Sequence, residues 1–255
     1  MKKSVFSKLM MFGTLLFLYL PVFALFIQSF NASRFGSSWK GFSLIWYQKL
    51  FSDRAIGEAL LNSLSIAFFA TCISLVLGVL LALSIHSFKS KLQSIQSFFL
   101  FGAMVLPDLL TGVSLLMLFT FIQLKLGMFS ILLAHSSFCL SYATMILLSR
   151  LQGLDPALVE AARDLGATER EAFFKVTFRH LLPAIVSAGL LCLVLSIDDF
   201  VITFFVSGPG ATTLPLYVYS MIKHGYPPVV NALSVILFLV TLSVVWVSKR
   251  LMEKA

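Results

Sequence analysis

Apolar residues fall into six long runs along this chain, separated by short polar stretches. The first run is Leu9 to Phe30 and carries no charge. The second is Ala59 to Ile85. The third runs from Ile95 to Leu124 and is interrupted by Asp108. The fourth is Phe129 to Ser149, the fifth is Ala184 to Val206 with Asp198 and Asp199 inside it, and the sixth is Val230 to Ser248. A bilayer core needs about 20 apolar residues per helix, and each run meets or approaches that length. The pattern predicts an all-α polytopic membrane protein of about six transmembrane helices. Lys2, Lys3 and Lys8 give the first run the basic start of a signal peptide. Its apolar stretch exceeds the usual ~7–15 residues and no A-x-A site ends it, so a retained helix is expected.

Composition supports this reading. Hydrophobic residues make up 59% of the chain and charged residues only 12%, against about 25% charged in soluble domains. The formal charge of +8 would suggest nucleic acid in a soluble protein; here the location of the charges matters more, and no nucleic-acid partner is expected. With the N-terminus inside, 13 of the 19 basic residues fall on the cytoplasmic side, which the positive-inside rule favours. The other six are Arg34, Lys40, Lys49, Arg54, Lys125 and Lys223. Both termini are therefore expected in the cytoplasm. Trp39, Trp46 and Tyr47 fit an interfacial aromatic band or a short helix on the membrane surface. Cys72, Cys139 and Cys192 lie inside apolar runs and read as small hydrophobes. His135 and Cys139 share a helix face, but no further ligands accompany them, so no metal is expected.

The stretch from Arg150 to Pro183 is the most charged part of the chain. Asp155 suits a helix N-cap and Pro156 the first helical position. Gly166 is a left-handed stop, and Thr168 with Glu171 forms a capping-box pattern that opens a second helix. On the residues alone, this helix–Gly–helix element fits a docking site for a soluble partner or an ordinary structured loop.

Glu160-Ala161-Ala162-Arg163-Asp164-Leu165-Gly166 resembles the EAA motif of ABC importer permeases. In those proteins the first short helix couples the membrane subunit to an ATPase. The family pattern ends in an I-x-L-P-like stretch; here Val176-Thr177-Phe178-Arg179 stands in that place, with Arg179 for the proline and Leu182-Pro183 just after. The resemblance extends to Phe30-Asn31-Ala32-Ser33-Arg34-Phe35, Trp39-Lys40-Gly41-Phe42, Trp46-Tyr47, Pro107-Asp108, Ser196-Ile197-Asp198-Asp199, Ser207-Gly208-Pro209 and Leu214 to Met221, which are similar to spermidine/putrescine permeases, the smaller subunit above all. It implies a MetI-like permease fold over residues 1–255, with a core at about 59–248 and a cytoplasmic coupling loop at 150–183. It also implies a bacterial inner-membrane location, a second permease, an ATPase dimer and a periplasmic polyamine-binding protein. Glu160, Ala161, Ala162, Asp164 and Gly166 become the expected ATPase-coupling residues. No cofactor is implied.

No P-loop sequence G-x-x-x-x-G-K-S/T occurs, so ATP hydrolysis falls to a partner chain and this chain is not expected to be an enzyme. Of the eleven acidic residues, Asp108, Asp198 and Asp199 fall inside expected spans. A carboxylate at mid-bilayer costs roughly 2.5–3.5 kcal/mol and belongs on a bundle interior or a water-filled cavity. Apart from Lys125 at one end, no basic residue within the spans neutralises these three, which suits a cationic substrate. The competing readings are a cap at Asp108 and, for Asp198 and Asp199, a helix end or a protonated state. Adjacent aspartates cannot share one helix face, so one of the pair is expected to face a path. Pro107 is expected to kink the third span. Phe200, Phe204 and Phe205 fit cation–π lining less well than packing. Ferric iron and thiamine remain alternative substrates within the family. An intramembrane enzyme lacks the paired catalytic residues, and a self-sufficient secondary transporter leaves the charged mid-chain element unexplained.

Overall fold

The computed structural model describes residues 5–33, 38–87, 91–225 and 227–252. Lys2, Lys3, Arg34, Phe35, Lys89 and Lys254, used above for topology or resemblance, lie outside them. The described residues form helices, with one isolated antiparallel bridge between Asn31 and Phe42 and no strand. The helices are α1 (Val5–Ser29), α2 (Ile45–Ser52), α3 (Arg54–Ser87), α4 (Lys91–Val105), α5 (Asp108–Phe121), α6 (Met128–Gln152), α7 (Pro156–Asp164), α8 (Glu169–Ala172), α9 (Phe178–Asp198), α10 (Val201–Val206), α11 (Leu214–Lys223) and α12 (Pro227–Met252). A π-helical turn, Phe173–Thr177, joins α8 to α9.

Among the described residues, four helical stretches are long and apolar enough to cross a membrane: Ser7–Ser29, Arg54–Ser87, Met128–Gln152 and Glu169–Asp198. Helices α4 and α5 are long and apolar enough only when taken together, and they are bent by 114° at the Leu106–Pro107 step. The third run is thus two helices rather than one kinked span. Pro107 has no N–H to give α4 and disfavours helical backbone at Leu106, so the helix stops and restarts. The fifth run is also divided: α9 ends at Asp198, Asp199 is extended, and α10 begins at Val201. The helix α12, at 26 residues, supplies the sixth apolar element.

The chain forms two compact units, Met1–Glu58 with Tyr217–Ala255, and Ala59–Leu216. In the first, α12 packs on α1 and α2. From Ser7 to Leu20 every side chain of α1 is exposed, as a helix apolar all round requires of a lipid or protein neighbour. Trp46 and Tyr47 lie on the short helix α2, with Trp46 buried and Tyr47 half-buried. Trp46 is buried, donating Nε1–H to the Asn31 carbonyl at 2.7 Å, and Tyr47 bonds the Ser29 hydroxyl at 2.8 Å. Both follow from the short α2, whose buried face presents Trp46 and Leu50; Trp39 stays exposed. Tyr217 donates to Asp53 Oδ2 at 3.2 Å, and burial together with that carboxylate raises its hydroxyl above the usual phenol range.

The second unit is organised around α6. One apolar cluster joins Ile85, Leu100, Leu147, Leu151 and Leu181; another joins Ile66, Phe119, Ile131, Ile202 and Val206. Between them small residues let α6 and α9 approach closely: Cys139, Ala143, Ala188 and Cys192 are fully buried. Each of the two thiols donates to the other's backbone carbonyl, at 3.6 and 3.4 Å. Such small-residue contacts are how helices associate where lipid removes the hydrophobic drive.

After α10 the chain passes Gly208, where an added Cβ would stand 2.1 Å from the Leu126 carbonyl oxygen and 2.9 Å from the Gly127 nitrogen. Both are backbone atoms, so no side-chain adjustment relieves the clash. Gly208→Ala is expected to destabilise the protein by about 2 kcal/mol, read as a lower melting temperature in detergent. An unchanged melting temperature would contradict this packing.

Candidate functional site

Both helix breaks lie on one cavity of about 280 Å3 in the second unit. Asp108, Asp198 and Asp199 all line it, with Phe138, Tyr142 and Phe200. Three stretches of chain that are distant in sequence supply these residues. Asp108 opens α5 just after the Pro107 break and makes no capping hydrogen bond. Asp198 is the last residue of α9, and its side chain is exposed to the cavity. Neither carboxyl group has a hydrogen-bond or ion-pair partner among the described residues. Both residues are exposed, so water or a cation can reach their carboxylates.

Asp199 differs. Its side chain is 8% exposed and is engaged inside the protein. Oδ2 accepts from the Thr203 backbone N–H at 2.8 Å and from the Thr203 hydroxyl at 2.7 Å, and Oδ1 accepts from the Ile202 N–H at 3.3 Å. The carboxylate thus caps the first turn of α10, where the exposed N–H groups favour negative charge. Adjacent positions at a helix end point apart, so one aspartate faces the cavity while its neighbour binds the fold.

Sequence reasoning missed the residue opposite Asp199. His135, on α6, is 1% exposed. Its Nδ1 is 2.7 Å from the Ser196 hydroxyl, and its Nε2 is 2.9 Å from the Thr203 hydroxyl and 3.3 Å from Asp199 Oδ2. The signal in the sequence is a histidine inside an apolar run, which needs polar partners. Both ring nitrogens are occupied by hydroxyl partners. Phe200 lines the cavity, whereas Phe205 packs on α5 against Gly112 and stacks edge-on with Phe204 at 5.7 Å.

The second candidate element is the charged segment 150–183. Its caps form as the residues predict. Asp155 Oδ1 accepts from the Ala157 N–H at 3.0 Å, with Pro156 opening α7. Gly166 has φ +87°, and the Ala167 N–H returns to the Ala162 carbonyl at 3.0 Å, closing α7. Thr168 and Glu171 complete a capping box, with the Thr168 N–H on Glu171 Oε2 at 3.0 Å and the Glu171 N–H on the Thr168 hydroxyl at 3.3 Å.

No residue of α7 is buried. Leu158 is 54% exposed and Leu165 89% exposed, an apolar content unusual for a helix facing only water. Glu160, Ala161, Asp164 and Gly166 are exposed, and Ala162 is half-buried. Glu160 borders a groove shared with His86, Leu151, Arg163, Glu169 and Phe173, while Arg163 pairs with Glu169 at 3.3 Å. The segment is clamped to the main bundle at its root. Arg150 Nε donates to the His180 carbonyl at 3.0 Å, and His180 Nε2 donates to the Arg150 carbonyl at 3.1 Å, linking the end of α6 to the start of α9.

Comparison with known proteins gives the frame for this geometry. Residues 74–254 match the family model described as binding-protein-dependent transport system inner membrane component. The chain is 41% identical over 244 residues to the spermidine/putrescine transport system permease protein PotC of Haemophilus influenzae, covering 96% of this chain and 95% of that protein. It is 38% identical to the protein of the same name in Escherichia coli, over 91% of this chain and 88% of that one. It is 41% identical to the E. coli putrescine transport system permease protein PotI, over 87% and 81%. Among solved structures, a bacterial ABC transporter involved in import of the acidic polysaccharide alginate superposes with a TM-score of 0.77 at 15% identity, covering 96% of this chain and 95% of that one. The MetNI methionine ABC transporter superposes with a TM-score of 0.63 at 21% identity, over 80% and 95%. These two likenesses establish the MetI-like permease fold. The chain therefore belongs to the binding-protein-dependent transport system inner membrane component family, as a multi-pass inner-membrane permease component of ABC importers rather than a catalytic subunit.

Proposed function

We propose that this chain is a transmembrane permease subunit of an ATP-driven polyamine importer that takes spermidine or putrescine. The observation that carries the reading is the cavity in which Asp108 and Asp198 stand without a protein counter-charge, beside Phe138, Tyr142 and Phe200. A flexible polycation supplies the missing ammonium groups, and aromatic faces attract them further. The names and extensive similarity of the permease relatives support the same substrate class.

The chain acts as one permease domain, with 150–183 as its cytoplasmic coupling loop and both termini in the cytoplasm. A second permease completes the translocation path. A periplasmic binding protein delivers polyamine, and an ATPase dimer docks on α7. The exposed Leu158 and Leu165 suit burial in a cleft of that ATPase, and Glu160, Ala161, Ala162 and Asp164 form the docking helix that Gly166 ends. ATP-driven closure of the ATPases pulls on α7, and the Arg150–His180 clamp passes the movement to α6 and α9. The path then opens toward the periplasm and accepts substrate, and hydrolysis resets it inward.

Two experiments test this reading. In cells lacking this chain, uptake of radiolabelled spermidine and putrescine should fall and return with the wild-type chain. Asp108→Asn and Asp198→Asn should each lower the rescue about tenfold, the loss expected for a charge-assisted contact. Unchanged uptake in the deletion strain, with no second polyamine importer present, would reject the substrate. Separately, Glu160→Lys should abolish uptake and co-purification with the ATPase while membrane insertion stays intact. Normal transport by that variant would reject α7 as the docking helix.

A further inference from the structure

We propose that His135 is a positioning residue that sets the placement of the two cavity carboxylates, Asp108 and Asp198, through one buried hydrogen-bond network. The inference rests on the reading of those two aspartates as substrate contacts. A helix broken in an apolar environment releases backbone groups and needs fixed partners. At the α9–α10 break, one imidazole from α6 reaches both sides: Ser196 in the last turn of α9 at 2.7 Å, and Thr203 of α10 at 2.9 Å.

One hydrogen arrangement pairs every atom of the network. The Thr203 hydroxyl donates to Asp199 Oδ2 and accepts from His135 Nε2–H, and His135 Nδ1 accepts from the Ser196 hydroxyl. Asp199, so held, fixes the extended residue between the helices at φ −66°, ψ 122°. Asp198 precedes it directly and takes its direction from that geometry. The same network holds α10, and α10 seats α5. At Gly112 of α5, an added Cβ would be 2.8 Å from Phe205 Cδ2 and 3.3 Å from Ile202 Cα. Helix α5 therefore registers tightly on α10, and Asp108 is its first residue. Both cavity carboxylates thus take their positions from a residue that touches neither.

A double-mutant cycle in the complete importer tests this. Proteoliposomes would hold this chain with its partner permease and ATPase, supplied with saturating spermidine-loaded binding protein. His135→Ala should lower the maximal uptake rate about tenfold, at unchanged amounts of inserted chain, and His135→Gln, which keeps a donor for Thr203, should restore most of it. In an Asp198→Asn background the same His135→Ala change should cost less than about twofold, because the positioned group is already gone. Equal losses in both backgrounds would overturn the proposal. Unchanged uptake by Asp198→Asn alone would instead overturn the substrate-contact reading.

Where residual uptake is too small to compare, cross-linking decides. An Asp108→Cys, Asp198→Cys pair in a Cys72→Ser chain would be treated with bifunctional thiol reagents of graded length. His135→Ala, or Ser196→Ala should the alanine at 135 prevent insertion, should widen the range of lengths that react. An unchanged range would overturn the proposal.

Discussion

Hydrocarbon offers no hydrogen-bond partner to a peptide group, and that constraint organises everything else in this chain. Within the bilayer a backbone satisfies itself by forming helix, and it leaves helix only where protein or water takes over. This chain leaves helix at Leu106–Pro107 and at Asp199–Phe200, in the middle of two apolar runs, and both places border the same cavity. The cavity and the breaks are one feature: its lining is largely apolar, and the aspartates at the two breaks bring the carboxylates to it.

The three aspartates divide the work of that arrangement. Asp199 gives its oxygens to Thr203, Ile202 and His135 and holds the second break in shape. Asp108 and Asp198 have no such partners and face open volume. A buried polar network that is fully satisfied stiffens its surroundings, whereas an unsatisfied charge beside it is a site for something else. The contrast is between a closed network at Asp199 and two open carboxylates at Asp108 and Asp198.

The charged segment 150–183 has a different character. It is capped, clamped by Arg150 and His180, and unburied throughout α7. Local sequence rules suffice to form it, since each cap lies within five residues of its partner. Its leucines Leu158 and Leu165 stay exposed in this chain. The cavity and α7 are joined through α6 and α9, which pack closely along the small residues Cys139, Ala143, Ala188 and Cys192.

By itself the sequence determined the class of molecule, the apolar elements, the helix–Gly–helix segment and the acidic residues that break apolar runs. These are local properties: run length against bilayer thickness, capping residues at fixed spacing, the missing N–H of Pro107. Tertiary structure decided the rest. It turned the third run through 114° rather than kinking it, ended the fifth run at Asp198, and folded Trp46 inward onto Asn31. It also brought His135 to Ser196, Asp199 and Thr203, residues more than sixty positions away. Nothing in the spacing of a lone histidine reports which hydroxyls and carboxylate will surround it, because that follows from how α6, α9 and α10 pack, and packing is a property of the whole bundle.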